Sequence, residues 1–305
     1  MIKRKTRVLS WFAAVLGSSL LVFILFNFQY FGIFDMQLQD KLFIKETVSN
    51  EIVIVGIDNE SIEEFGVWPW GRDLHSEMIE KLQKIGVKAI GYDVTFSEKG
   101  IDDRAFLEAV KKYDNLVFPL EGELRLQNNE KAVFQSTLLP IAEITDNNSI
   151  GHTTLVPDKD GKIRRAPLYV KDGTESRAPF FSQILQKSGY LNNKFDIERL
   201  FQVDKYDLFR INYFGPANTF AHYSFHELLS DDFDDQRVKD KIVLVGAVAP
   251  DLHDEYFTPS SMSKAISGVE IQANLIESFI QNKSLLEFDN KILYGLLFLI
   301  LATIS

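Results

Sequence analysis

Acids that close buried strands are where this sequence could do chemistry. The run Ile52-Val-Ile-Val-Gly-Ile57 leads into Asp58, Val87-Lys-Ala-Ile-Gly-Tyr92 into Asp93, and Lys241-Ile-Val-Leu-Val-Gly-Ala247 is followed by Asp251 and Asp254. In open α/β sheets ligands bind beyond the carboxyl ends of the strands, so acids at three such ends meet on one rim if the strands are neighbours. Carboxylates gathered there suit a hard cation, or the amine and hydroxyl groups of a ligand. In the competing reading each aspartate only caps the turn after it. A second cluster, Trp68-Pro69-Trp70-Gly71-Arg72, falls between the first strand and its helix. It could make an aromatic platform with an arginine clamp for an anion. Alternatively the tryptophans plug the core and Arg72 pairs with Asp58 or Asp93.

Other enzyme-like strings fail on spacing. His226-Glu227-Leu-Leu-Ser230 begins as a zinc-protease motif but carries serine where the second histidine must stand. His222 and His226 alone supply two ligands without a third. Asp158-Lys-Asp160-Gly161 opens like a calcium loop, but its glycine comes two positions early and Tyr169 occupies the place of the bidentate acid, so it reads as a turn. Cysteine is absent, which removes thiolate metal sites, disulfides and cysteine nucleophiles. With no phosphate-cradling glycine loop and no nucleophile elbow either, no metal and no cofactor is expected. Acid-base hydrolysis by Asp58 and Asp93 stays open if the two lie close together.

These residues must be positioned by alternating strands and helices, the pattern of α/β folds. A helix is expected from Asp73 to Ile85, with Asp73 as N-cap, Leu74, Met78, Leu82 and Ile85 on one face, and Gly86 as its stop. A second helix over 102–112 and a strand over 116–120 complete a parallel βαβαβ run. Residues 150–170 read as a hairpin around Asp160-Gly161. A helix from near Pro179, a strand over 208–214, a short helix over 224–229 and a last helix from Gly268 to Ile280 come after it. The fold class is thus α/β: a three-layer, Rossmann-like, mostly parallel sheet with a β-rich middle insertion, preceded by a transmembrane helix.

That last element comes from charge patterning. The 305 residues are 46% hydrophobic and 25% charged, ordinary for a globular chain, but the distribution is uneven. Residues 1–7 hold Lys3, Arg4, Lys5 and Arg7, and residues 8–34 hold no charge. An uncharged run of that length spans roughly 40 Å as a helix against about 30 Å of hydrocarbon. Its bulky aromatic end, Asn27-Phe-Gln-Tyr-Phe-Gly-Ile-Phe34, suits an interfacial belt better than a signal-peptidase site. The basic tip stays in the cytoplasm by the positive-inside rule, which places the chain from residue 35 onward outside. Residues 292–305 are again uncharged but cover only about 21 Å; either a core helix closes the domain there or, as expected here from the lack of a polar face, a second membrane segment is interrupted by the end of the sequence. The expected division is a cytoplasmic tip (1–7), an anchor (8–34), an extracytoplasmic domain (35–290) and the start of a second membrane segment (291–305). Without the four basic residues of the tip, 29 basic residues face 43 acidic ones, a formal charge of −14. Such a surface repels phosphate backbones, so nucleic acid is not an expected partner.

The ordered stretches resemble the type 2 CHASE domain, the cyclase- and histidine-kinase-associated sensing extracellular module of bacterial receptors. The resemblance rests on Val53-Ile-Val-Gly-Ile-Asp58 with Ser61, Gly66-Val-Trp-Pro-Trp-Gly-Arg72 with His75, and Ala89-Ile-Gly-Tyr-Asp93 with Phe96, Ser97, Glu98 and then Asp103. It continues through Ile150-Gly-His152, Asp160-Gly161 with Arg164 and Arg165, and Ile211-Asn-Tyr-Phe-Gly-Pro216. Lys241-Ile-Val-Leu-Val-Gly246, Asp254 with Thr258-Pro259, and Gly268-Val-Glu-Ile-Gln-Ala-Asn274 complete it. The chain departs at Gly71, where the family usually has proline before arginine, and at Gln272, where it usually has histidine. The resemblance implies an outside sensor on a membrane anchor, feeding a cytoplasmic cyclase, diguanylate cyclase or kinase.

The expected function is therefore sensing without catalysis, through a small ligand at a site drawn from Asp58, Ser61, Trp68, Trp70, Arg72, His75, Asp93, Asp254 and Gln272. The expected assembly is a homodimer integral to the cell membrane, with the sensor periplasmic or extracellular. An anchored envelope hydrolase and a purely structural dimerisation module are the alternatives.

Overall fold

In a computed structural model, residues 32–100, 103–125 and 132–285 are described, together with Trp11 and Gly17. Most of the expected anchor and all of the apolar tail lie outside them. Among the described residues no helix is long and apolar enough to cross a membrane. One compact unit runs from Ile44 to Leu285; the other, made of 1–43 and 286–305, contributes the described helix α1 (Gly32–Lys41).

Strand β1 (Ile52–Ile57) is buried at every residue, as a run of Val and Ile without a polar face requires. It lies between β11 (Ala221–Ser224) and β12 (Ile242–Ala247), and beyond β12 come β2 (Ala89–Asp93), β3 (Leu116–Arg125) and β5 (Ser149–His152), all parallel. The expected contiguous βαβαβ run is corrected, because β12 inserts between β1 and β2. β12 is as continuously apolar as β1 and needs neighbours on both edges. The connection through α2 (Asn59–Phe65) and α3 (Arg72–Ile85) is long enough to step over it.

Helices cover both faces of this sheet. On one, Met78, Ile79, Leu82 and Ile85 of α3, Phe106 of α4 (Arg104–Lys112) and Phe225 of α8 (Phe225–Leu229) share a core with Val53, Val55 and Val243. The other face carries α6 (Phe180–Lys187) and α9 (Gly268–Ile280). There β12 uses Gly246, where an added Cβ would sit 2.9 Å from that of Val269. Helix α3 ends at Gly86 in the left-handed region, φ 88° and ψ 57°. Its N-cap is Gly71; Asp73, expected in that role, lies in the first turn, where its charge meets the positive end of the helix dipole.

The middle excursion grows from β3. Residues 116–120 belong to the parallel sheet, while 121–125 pair antiparallel with β4 (Val133–Leu138), which continues to β8 (Val170–Asp172) and β9 (Glu175–Arg177). A separate small sheet holds β6 (Val156–Pro157), β7 (Ile163–Pro167) and β10 (Leu208–Arg210). The hairpin expected over 150–170 is thus divided, with β5 in the main sheet and only 156–167 forming the hairpin. β5 fits there because Gly151 lets the Phe180 backbone approach; a Cβ would lie 2.6 Å from its Cα. Asp158 and Asp160 in the hairpin turn are paired with Arg164 at 2.9 and 2.8 Å, and Asp158 also with Arg165 at 2.7 Å. Short helices α5 (Ala142–Thr145) and α7 (Lys194–Leu200) complete the excursion.

Helix α9 is unusual in being buried on every side from Gly268 to Ser278, polar residues included. Each carboxylate has an answer: Glu270 accepts from the N–H groups of Asn218 and Thr219 at 3.0 and 2.8 Å, and Glu277 from the Ser49 hydroxyl at 2.7 Å. Asn274 Oδ1 accepts from the Phe214 N–H at 2.9 Å. Just past the helix, Gln281 donates to the Thr47 carbonyl at 2.9 Å and Lys283 pairs with Glu46. The segments where the compact unit begins and ends are therefore fastened together by the carboxyl end of α9.

Candidate ligand-binding cleft

Parallel pairing brings the strand ends to one rim, with Gly56, Gly246 and Asp93 level across β1, β12 and β2. A cleft of about 1550 Å³ opens there. Asp93 enters it from β2, and Glu121 from the point where β3 leaves the parallel sheet. The loop after β12 brings in Asp254 through a 3₁₀ turn, Pro250–Leu252, and His253 in the left-handed region at φ 57°. The short antiparallel pair β13 (Glu255–Tyr256) and β14 (Ile266–Ser267) then holds Asp254 over the amino end of α9. A Cβ on Gly268 would lie 2.5 and 2.6 Å from the two Asp254 carboxylate oxygens, so glycine here lets that carboxylate approach the helix closely.

The acids are poorly compensated. Burial, then the charges of Asp254 and Glu121, pushes Asp93 well above the usual carboxylate range. Burial likewise lifts Asp254 to about 6, against the Tyr256 hydroxyl and the Gly268 N–H, which favour its charged form. Glu121 accepts from the Thr95 hydroxyl. On α9, Gln272 also lines the cleft, and its Oε1 is buried without a hydrogen-bond partner.

The opposite wall is aromatic. Trp68 and Trp70 meet edge-on at 5.1 Å, after the cis Trp68–Pro69 peptide, and Trp70 Nε1 donates to the Gly66 carbonyl at 2.8 Å. Trp70 is the plug of the competing sequence reading, whereas Trp68 stays half-buried on the cleft wall. His75 is buried against Trp68, Phe96 and Phe225, with Nδ1 2.7 Å from the Tyr92 hydroxyl; burial, then Arg72, lowers its pKa to about 4, so the ring is neutral. Arg72 is already engaged within the fold. Its guanidinium pairs with Asp103 at 2.9 Å, donates to the Glu98 carbonyl and lies over the Phe96 and Phe106 rings at 5.2 and 5.6 Å. The expected partners Asp58 and Asp93 are thereby corrected to Asp103.

Of the nine residues expected at the site, seven line this cleft: Trp68, Trp70, Arg72, His75, Asp93, Asp254 and Gln272. Asp58 and Ser61 do not. Asp58 caps α2, accepting from the Ser61 N–H at 2.9 Å and hydroxyl at 2.6 Å and from the Ser224 hydroxyl. Burial raises its pKa, but these bonds outweigh that and hold it below the ordinary value. With β12 between them and Asp58 committed to its cap, Asp58 and Asp93 do not form an acid-base pair. Sequence reasoning missed Glu121 and Tyr256. The strand-end argument reaches Glu121 if applied to Leu116-Val-Phe-Pro-Leu120, which runs into it; nothing local marks Tyr256.

Comparison with known families adds one result. The profile of the CHASE2 domain matches residues 16–305. The chain belongs to the CHASE2 domain family. CHASE2 is a family of sensory extracellular domains. No curated protein and no solved structure is significantly similar to this CHASE2 chain. For a sensory CHASE2 domain, a cleft at the carboxyl edge of a parallel sheet lies where ligands of such sheets bind.

Proposed function

We propose that the chain is the extracytoplasmic sensory region of a bacterial transmembrane receptor, without catalysis of its own, that binds a small ligand in this cleft. The reading adds that residues 8–34 anchor it, that it works as a homodimer, and that a cytoplasmic cyclase, diguanylate cyclase or kinase carries the output. One observation supports it above others: α9 begins under the poorly compensated acids and ends on the fastening between the first and last segments of the compact unit. Its 13 residues span about 20 Å, so a ligand that changes how Asp254 and Gln272 sit on the amino end acts on the connections at the other. Such a ligand shifts the balance of two arrangements only by its difference in affinity for them.

The absence of cysteine makes a direct test possible. Single substitutions Lys5→Cys and Lys171→Cys, the latter at an exposed site, are treated in intact cells with a membrane-impermeant maleimide. The reading expects labelling at 171 and none at 5 until the membrane is permeabilised. Labelling at 171 only after permeabilisation contradicts it.

A further inference from the structure

Within the proposed sensing cleft, the charges are one-sided. The acids on its lining are Asp73, Asp93, Glu98, Asp103, Glu121 and Asp254. Against them stand one arginine, Arg72, already paired with Asp103, and two imidazoles, His75 and His253. His75 is neutral at physiological pH. A second, independent feature points the same way. Gln272 of α9 lines the cleft and is 3% exposed, and its carbonyl Oε1 is buried with no donor. An amide oxygen buried without a donor has lost its bonds to water uncompensated, and a ligand N–H restores one. A bare metal ion fits less well, because among the described residues no set of three His, Asp or Glu side chains is disposed to hold one. The half-buried Trp68 on the facing wall presents an aromatic surface of the kind that attracts ammonium groups.

We infer that the cleft takes an organic cation bearing one or more protonated amino groups, with Asp93, Glu121 and Asp254 as its counter-charges and Gln272 Oε1 as an N–H acceptor. Ionised carboxylates that repel one another become mutually compatible once an ammonium lies between them. This inference rests on the sensing reading above but is narrower than it.

The test is thermal unfolding of the full chain in detergent micelles, followed by tryptophan fluorescence. The probes are putrescine, spermidine, ethanolamine and choline, with succinate, glucose and calcium chloride as other chemistries. At least one amine is expected to raise Tm by several degrees in a saturable way. In Asp93→Asn/Asp254→Asn the apparent Kd should rise at least tenfold, and in Gln272→Leu severalfold. Glu63→Gln, an equal loss of charge on an exposed surface outside the cleft, should leave the response intact. Saturable shifts from succinate, glucose or calcium alone that vanish in the cleft variants overturn the ligand class while leaving the sensing cleft standing. An amine shift that persists unchanged in the cleft variants, or is lost equally in Glu63→Gln, removes the site itself. No shift with any amine overturns the inference.

Discussion

On either side of β12, strand β1 runs into Asp58 and strand β2 ends in Asp93, and the two carboxylates live in opposite worlds. Asp58 is surrounded by donors that curl the chain into α2 and tie it to β11. Asp93 lies level with Gly56, two residues before Asp58, with like charges nearby and an open cleft in front. Environment, not residue type or strand position, separates a structural acid from a candidate binding acid. The first lowers its own pKa by the bonds it accepts; the second is pushed toward its neutral form and gains by meeting a cation.

The comparison breaks most visibly in stability. Asp58→Ala strands the donors of Ser61 and Ser224 and removes the α2 cap, which should cost about 3 to 4 kcal/mol and lower Tm by roughly 6–16 °C. Asp93→Asn removes a repelled charge and should leave Tm at pH 7.5 unchanged or higher. Thermal unfolding of the two variants side by side checks both, and a larger loss for Asp93→Asn would reverse the assignment.

The next effect is in pH. A carboxyl whose folded pKa is raised binds its proton more tightly when folded, so its contribution is fully present below the unfolded value near 3.8 and is lost as pH rises through about 6 for Asp254. Asp254→Asn should therefore gain stability relative to the parent chain between pH 4 and 7.5, by up to about 3 kcal/mol, and show no gain at the acid end. For Asp58 the sign is opposite: its stabilisation is present above 3.8 and disappears as pH falls below it. Subtracting variant from parent removes the background of buried His75 and His152, whose pKa values fall to about 4 and 3 through burial and which destabilise the fold as pH drops below 6.5.

Helix α9 carries a smaller version of the same contrast. Asn274→Leu leaves the Phe214 N–H buried without its acceptor and should cost about 2 kcal/mol. Gln272→Leu, two residues earlier, removes an amide oxygen that has no donor and should leave stability unchanged or raise it. Equal losses at the two sites in urea unfolding would mean that Gln272 has a partner inside the fold.

Much of the fold is legible in the residues alone. The buried strands are nearly continuous Val/Ile/Leu runs, and the last helix falls where its composition places it, from Gly268 to Ile280. Arg72 is readable as a cation in need of an acid, but its choice of Asp103 depends on how α4 packs beside α3. The insertion of β12 between β1 and β2 is a long-range pairing that no local signal encodes. The different fates of Asp58 and Asp93 depend on it, since each is decided by which loops arrive: Ser224 from β11 for one, Asp254 and Glu121 for the other. The burial of Glu270 and Glu277 on α9 is equally hidden, because their donors lie in segments far along the chain.

The most direct measurement is a carboxyl titration of the full chain in micelles by NMR, with ¹³C-labelled aspartate and assignments from Asp58→Asn, Asp93→Asn and Asp254→Asn. The account expects Asp254 to titrate near 6 and Asp93 well above the ordinary range, Asp58 to titrate below 3.8, and a bound amine to pull the first two down while leaving the third in place. Asp93 and Asp254 titrating near 4, alongside exposed aspartates and indifferent to amines, would contradict it.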